Sequence, residues 1–349
     1  MKTIRNRKYF RKATPLLVFC LFFLSFYSCK TYKSFNINVL EPADIVVPQS
    51  IQKVLLAHSI VETDSNRKTP YEIYNSSYYD TVFYDTAAAE AALINLAGIL
   101  NYNPRFEAVL PDTLQVQLPS DADQFTHLHL NKIRDLCSDY HTDALLLLSW
   151  MDKKVEYDIF SSYLGGYYSI YTIYLKTRWM FIDPFRSKLI DQILLTDTLY
   201  YQIDGYWGTS DEGLYLTGRE LIQAAAEETG LRYGSRITPH FVESGRIIFK
   251  SGDKYLRKGF IKAEEGKWKE AAMIWQNTLN RNNSAARARA SFNIALANEM
   301  EGLLEPAIEW ANHSYSYFPD SINYTYISIL KERLLHQEKL ILQLEGENQ

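Results

Sequence analysis

Cysteine is scarce in this chain: three residues in 349, at Cys20, Cys29 and Cys137. Two of them fall near the N-terminus, so Cys137 stands alone in the body of the chain, where it cannot close an internal disulfide. It lies in a helical pattern beside Leu136 and is expected to be a small buried hydrophobe, with no sequence feature marking a base to activate it. An excess of positive charge is also missing. The 37 Lys and Arg face 41 Asp and Glu, a net charge of -4, which provides no basic face for nucleic acid. No apolar run reaches the roughly 20 residues that a comfortable membrane-spanning helix needs. Catalytic signatures are absent as well. Gly165-Gly166 lacks the lysine and helix start of a phosphate loop, and no Gly-x-Ser-x-Gly elbow occurs. His127 and His129 are the closest histidines, but two residues apart near a helix start they face different ways, without acid or cysteine at a metal-like spacing. They are expected to be a solvated or capping pair. The expectation is therefore no catalytic residue, no metal and no cofactor.

What the chain has is apolar surface. Hydrophobic residues make up 47% and charged residues 22%, ample to offset chain entropy, which argues against disorder. The length predicts two domains. Tyrosine is abundant, with 26 copies beside 17 Phe and 6 Trp; its apolar ring and polar tip suit half-buried sheets. Tyr163, Tyr167, Tyr168, Tyr206 and Trp207 lie in Gly-containing stretches, and Tyr206 and Trp207 are the candidate partner contacts.

The first 28 residues have three parts. Lys2, Arg5, Arg7, Lys8, Arg11 and Lys12 make a basic start, Leu16 to Tyr27 is apolar apart from Ser25, and Ser28 precedes Cys29. This is the layout of a secretory signal. Phe26-Tyr27-Ser28-Cys29 resembles the lipoprotein box of bacteria, in the looser form found in Bacteroidetes. The resemblance implies cleavage before Cys29, which would carry the lipid and anchor the chain in a membrane. The basic Lys30-Thr31-Tyr32-Lys33 that follows, where surface-exported lipoproteins of that group carry acids, points to an outer-membrane protein facing the periplasm.

Residues 29–49, with Pro42 and Pro48, read as a tether with a short extended piece at Phe35 to Leu40. A mixed-sheet α/β domain is expected over 50–250. Ile51 to Val61 reads as a strand and Glu62 to Tyr84 as a polar loop. Ala87 to Leu100 reads as a helix, Phe106 to Leu110 as a short strand and Phe125 to Tyr140 as a second helix. Ala144 to Trp150 is a strand covered on both faces. Tyr167 to Ile182 and Leu189 to Tyr201 form a hairpin across Asp183-Pro184-Phe185-Arg186-Ser187-Lys188, and a helix follows from about Leu216 to Tyr233. Asp152, Glu156 and Asp158 would sit at a strand end, a place where sites form in open sheets, although solvated charges explain them as well.

From Lys254 the pattern is wholly helical. Gly266-Lys267-Trp268-Lys269-Glu270-Ala271 recurs in type as Gly302-Leu303-Leu304-Glu305-Pro306-Ala307, 36 residues on. Each glycine lets the chain leave one helix and enter the next. Trp268 or Leu304 fills the crevice, and Ala271 or Ala307 allows close approach. Pro319 stops the second unit, and a helix from Ile322 to Leu344 caps the array. This resembles the tetratricopeptide (TPR) repeat and assigns 254–344 to TPR-like helical repeats.

The expected fold class is thus α+β, a mixed α/β sandwich domain followed by an all-α helical hairpin domain. The whole layout resembles a family of Bacteroidetes envelope lipoproteins, on Cys29, the Ala144–Trp150 strand and the Gly-x-Trp-x-x-Ala turn at Gly266. More distantly, the α/β part resembles that of curli-secretion and penicillin-binding-protein-activator lipoproteins. The function expected is a non-catalytic interaction or assembly module for an envelope protein or peptide. An envelope enzyme, or an oligomeric export component using the long hairpin, is the alternative.

Overall fold

The computed structural model describes residues 31–61, 69–73, 76–80, 85–162, 166–205 and 218–345. It has an α+β fold in two compact units. One holds residues up to Leu40 together with Phe241–Lys339, the other Glu41–His240 together with the chain from Leu340 onward.

The α/β unit is built on a seven-stranded mixed sheet. In chain order it contains β2 (Lys53–His58), β3 (Thr69–Ile73), β4 (Ser76–Asp80), α1 (Asp85–Tyr102), β5 (Glu107–Val109), α2 (His127–Asp139), β6 (Ala144–Ser162), β7 (Gly166–Asp183), β8 (Lys188–Gly205) and α3 (Gly218–Ile237). The first half of β6 pairs in parallel with β2, which pairs in parallel with β5; its second half meets β3. On its other side β6 pairs antiparallel with β7, and β7 with β8.

Side chains alternate across a strand, so one sequence run supplies two cores. Val54, Leu56, Leu146, Leu148, Trp179 and Phe181 pack with α1 and α3. Their neighbours Leu55, Ala57, Leu145, Leu147, Met180 and Ile182 pack with Ile133 and Cys137 of α2. The continuous apolar run at 144–148 is explained by burial on both faces. The β7–β8 turn is closed by Asp183, whose Oδ1 accepts the N–H groups of Phe185 (3.1 Å) and Arg186 (3.0 Å). Over β7, Trp179 stacks on Tyr233 of α3 at 4.9 Å, and Arg236 holds Asp191 of β8 through two bonds of 3.0 Å.

At one point α1 and α3 approach through glycine. A Cβ on Gly230 would lie 2.3 Å from the Ala92 carbonyl oxygen, a backbone atom that cannot rotate away. Gly230→Ala is expected to force the helices apart and lower stability by about 1–3 kcal/mol, measured as a shifted midpoint in chemical denaturation. An unchanged or raised midpoint would contradict this packing.

The helical unit begins with strand β1 (Tyr32–Glu41), paired with β9 (His240–Phe249). Five helices follow: α4 (Lys254–Glu264), α5 (Trp268–Leu279), α6 (Ser284–Met300), α7 (Leu304–Tyr317) and α8 (Ser321–Glu345). Asp253 and Asn283 cap α4 and α6 by accepting the N–H groups of Tyr255 and Ala286. Helix α6 is the core of the unit, with Ala290 to Ala297 all buried. The ribbon is fixed to it by Asn293, which accepts the Phe249 N–H (2.9 Å) and donates to its carbonyl (2.7 Å).

Four expectations need correction. The tether over 29–49 is largely folded, because β1 pairs with β9 and Ala43 and Val47 are buried; its alternating residues found a partner strand two hundred positions away. The polar stretch 62–84 is not simply a loop, since β3 and β4 form an antiparallel hairpin within it, in keeping with the strand preference of tyrosine. Strand β6 runs on to Ser162, so Asp152, Glu156 and Asp158 lie along a strand rather than at its end. The C-terminal division also differs, because residues from Leu340 onward belong to the α/β unit, where the Gln343 side chain bonds both backbone groups of Ala43.

Candidate functional site

The two glycine bends of the helical unit are alike atom by atom. Gly266 and Gly302 have φ of +75° and +77°, the left-handed region that favours glycine. The Gly266 N–H donates to the Ala263 carbonyl (2.9 Å), and that of Lys267 to Lys262 (2.9 Å). Thirty-six positions on, Gly302 donates to Glu299 (3.0 Å), and Leu303 to Asn298 (2.9 Å). Ala271 and Ala307 then donate to Lys267 and Leu303, both at 3.0 Å. Ala271 and Ala307 are fully buried, Leu304 nearly so, and Trp268 is half-buried and stacks on Phe35 at 6.3 Å. The first hairpin closes further at Gly259, where a Cβ would meet the Trp275 indole at 2.3 Å; the indole N–H donates to the Leu256 carbonyl.

Below these hairpins lies a buried charge cluster. Glu299 of α6 is bound by Arg246 of β9 at 2.7–3.0 Å, by the Tyr326 hydroxyl at 2.6 Å and by Arg333 of α8. Glu299 and Arg246 are both buried. Burial pulls the Glu299 carboxyl upward, but Arg246 and its other donors outweigh that and hold it below the ordinary carboxylate value. Above the cluster opens a groove of about 310 Å³ lined by Tyr32, Gly245, Arg246, Ile247, Phe292, Ser321, Ile322, Thr325, Tyr326 and Ile329. Tyr32, Phe292 and Tyr326 of this lining belong to an aromatic run, Tyr32–Phe249–Phe292–Tyr326, with ring centroids 6.3, 5.2 and 4.5 Å apart. The exposed apolar side chains Ile261, Met273 and Leu303 belong to or flank the hairpin helices of the same unit.

The α/β unit has its own cavity, about 430 Å³, lined by His58, Thr86, Glu90, Ile94, Leu110, Pro111, Asp112, Thr113, Leu114 and Gln115. It lies where β2 and β5 end, outside the carboxyl ends of parallel strands, a common place for ligands in such sheets. His58 is the last residue of β2. Its backbone is bound to Leu114 and Val116, both at 2.8 Å, while neither ring nitrogen has a hydrogen bond of good geometry. Burial lowers its pKa to about 4, with the Ile60 carbonyl opposing slightly. The imidazole is therefore neutral at neutral pH. None of the other lining side chains is a cysteine or lysine, and among the described residues no group of three His, Cys, Asp or Glu is placed to hold a metal.

The remaining sequence-predicted residues divide as follows. His129 caps α2, its Nδ1 accepting the Thr126 N–H at 3.1 Å. Glu156 is bound by Lys154 and the Tyr174 hydroxyl, both at 2.9 Å, in an open strand face. Cys137 is buried, which pushes its thiol up to about 11. Cys29, Tyr206, Trp207 and Tyr163 lie outside the described residues. Sequence reasoning missed His58 and the Arg246–Glu299 pair. The sequence offers only a histidine ending a largely apolar strand and a glutamate inside an Ala-rich helix, and neither signal names a partner.

Residues 51–249, more than half the chain, match the family model described as Domain of unknown function (DUF8603). The chain belongs to that family. Its DUF8603 region runs from just before β2 to the last residue of β9. A second model, Domain of unknown function (DUF6340), matches residues 257–332, from within α4 to within α8. No curated protein matches the chain. Among solved structures, a neuraminyllactose-binding hemagglutinin homolog from Helicobacter pylori is 12% identical over 57% of this chain and 91% of its own, with a TM-score of 0.30. The PelC dodecamer from Paraburkholderia phytofirmans is 10% identical over 60% and 100%, at 0.24. Lipoprotein GNA1162 from Neisseria meningitidis is 13% identical over 52% and 99%, at 0.21. Likeness at this level decides nothing about what this DUF8603 protein does.

Proposed function

We propose that this protein is a lipid-anchored component of the cell envelope, held in the outer membrane through Cys29 and facing the periplasm. Its helical unit acts there, without catalysis, as a TPR-like interaction or assembly module for an envelope protein or peptide. The observation that carries this reading is the repetition of one glycine bend, hydrogen bond for hydrogen bond, at Gly266 and Gly302. Stacked helical hairpins of this kind offer extended surfaces whose exposed side chains are free for a partner. Ile261, Met273 and Leu303 are such side chains, exposed on or beside three of the hairpin helices.

The test uses intact cells. Cys29→Ala is expected to move the protein from the membrane to the soluble fraction. Ile261→Glu, Met273→Glu and Leu303→Glu together are expected to remove crosslinked partners while leaving the protein folded and membrane-bound. A Cys29→Ala protein that stays with the membrane sinks the anchor. Crosslinks unchanged by the triple substitution sink the interaction surface.

A further inference from the structure

The fold starts almost at the anchor. The Lys250 N–H donates to the Thr31 carbonyl at 3.0 Å, and β1 begins at Tyr32. From Cys29 to Tyr32 is three residues, which span at most about 10 Å when fully extended. Tyr32 is itself part of the groove wall, with Ile322, Thr325 and Ile329 opposite on the first turns of α8. If Cys29 carries lipid, the mouth of this groove cannot stand far from the bilayer surface.

The chemistry of the groove fits that position. Of its ten lining residues Arg246 alone is charged, and its guanidinium is bound to Glu299. No free charge is present there to select a polar ligand. Along its rim Ile322 and Thr325 are exposed and Tyr32 and Ile329 half-buried. Tyrosine and aliphatic side chains together suit the boundary between headgroups and hydrocarbon, where a ring can lie in apolar surroundings and its hydroxyl in water. Elsewhere in the unit, Lys33 sits one residue after Tyr32 and is exposed beside Glu264.

We propose that the groove face of the helical unit, formed by Tyr32, Ile322, Thr325 and Ile329, seats directly on the lipid bilayer that holds Cys29. This rests on the lipid-anchor reading and deepens it. The anchor is then a short clamp that sets which face meets lipid, and Ile261, Met273 and Leu303 are left for a partner.

The experiment uses the full acylated chain in vesicles of phosphatidylethanolamine and phosphatidylglycerol carrying headgroup spin labels. An environment-sensitive fluorophore is placed at Ile322→Cys or, for comparison, at Met273→Cys; Cys137 is buried and Cys29 is acylated, so the new thiol reacts alone. The expected result is quenching of the 322 probe by at least about twofold, in the range of a side chain held at the headgroup level, with little at 273. Inserting a Gly/Ser linker of about 20 residues after Lys30, with a mean span of about 25 Å, is expected to release the quenching while the protein stays in the membrane fraction. Mass spectrometry of the N-terminal peptide separates two failures. Without acyl groups on Cys29, the anchor reading falls and the docking with it. With acyl groups present and the 322 probe unquenched, the docking alone is overturned. A 322 probe shielded from aqueous iodide yet unquenched by lipid marks a protein occupant, a second copy or a partner, and also overturns it. Quenching that survives the linker would show the face holding lipid by its own affinity, and overturns the part in which the short anchor sets which face meets the bilayer.

Discussion

Replacing Glu299 by alanine is expected to destabilise the helical unit by about 3–5 kcal/mol, the range for breaking a buried ion pair from one side. The size follows from what remains. Arg246 is 4% exposed and would keep its bonds to Ser244 and Gly245 while losing three to the carboxylate. The Tyr326 hydroxyl, also buried, would lose its acceptor, whereas Arg333 is exposed enough to turn toward water. The damage therefore comes from stranded partners more than from the missing contact. A double variant tests this account. Arg246→Met with Glu299→Met removes both charges and fills the volume, and should recover a large part of the loss. Chemical denaturation followed by tryptophan fluorescence, in a background with Trp150, Trp179 and Trp207 replaced by Phe so that the helical unit alone emits, gives the comparison. A double variant no more stable than Glu299→Ala would mean that the pair contributes net attraction and that desolvation is the smaller effect.

The same cluster shows where sequence reading stops. The glycine bends were legible because their cause is local: a left-handed residue between two helices, with its small and bulky companions at fixed offsets. The strands 144–148 and 167–201 were legible for a similar reason, as hydrophobic runs and turn residues declare themselves within a few positions. The ribbon of β1 and β9 was not legible, because its two halves lie some two hundred residues apart and neither has a hydrophobic pattern that demands pairing. The full length of β6 was hidden too. Its second half carries Asp152, Lys154, Glu156 and Asp158 on one face, which reads as a loop until β7 is seen alongside, placing Lys176 opposite Asp152 and Tyr174 opposite Lys154. In the candidate sites, the surface residues of the helical hairpins follow from the repeat. Arg246, Glu299 and His58 could be assigned only once distant elements were brought together.

His58 makes the two units respond differently to acid. In the folded protein its pKa is about 4, lowered by burial, against about 6.5 in the unfolded chain. Between these values the unfolded state binds more protons, so stability rises with pH across that window and is lost as pH falls from about 6.5 to 4. The α/β unit should lose roughly 2–3 kcal/mol in this way. Glu299 acts in the same protonation sense, folding favouring its deprotonated form, but in the lower carboxylate range of pH. Its folded value is depressed, so its contribution is present above the ordinary carboxylate value and disappears as pH falls through the folded one. The α/β unit should therefore weaken first, at mildly acidic pH, while the helical unit holds until the carboxylate range. Each unit has three tryptophans, so replacing Trp268, Trp275 and Trp310 by Phe leaves emission from the α/β unit alone, and replacing Trp150, Trp179 and Trp207 leaves that of the helical unit. In His58→Leu the loss between pH 6.5 and 4 should vanish from the α/β unit and leave the helical unit unchanged. A His58→Leu protein that keeps the full acid-dependent loss would show that the imidazole is protonated in the folded state and open to water, against the burial on which the neutral cavity wall depends.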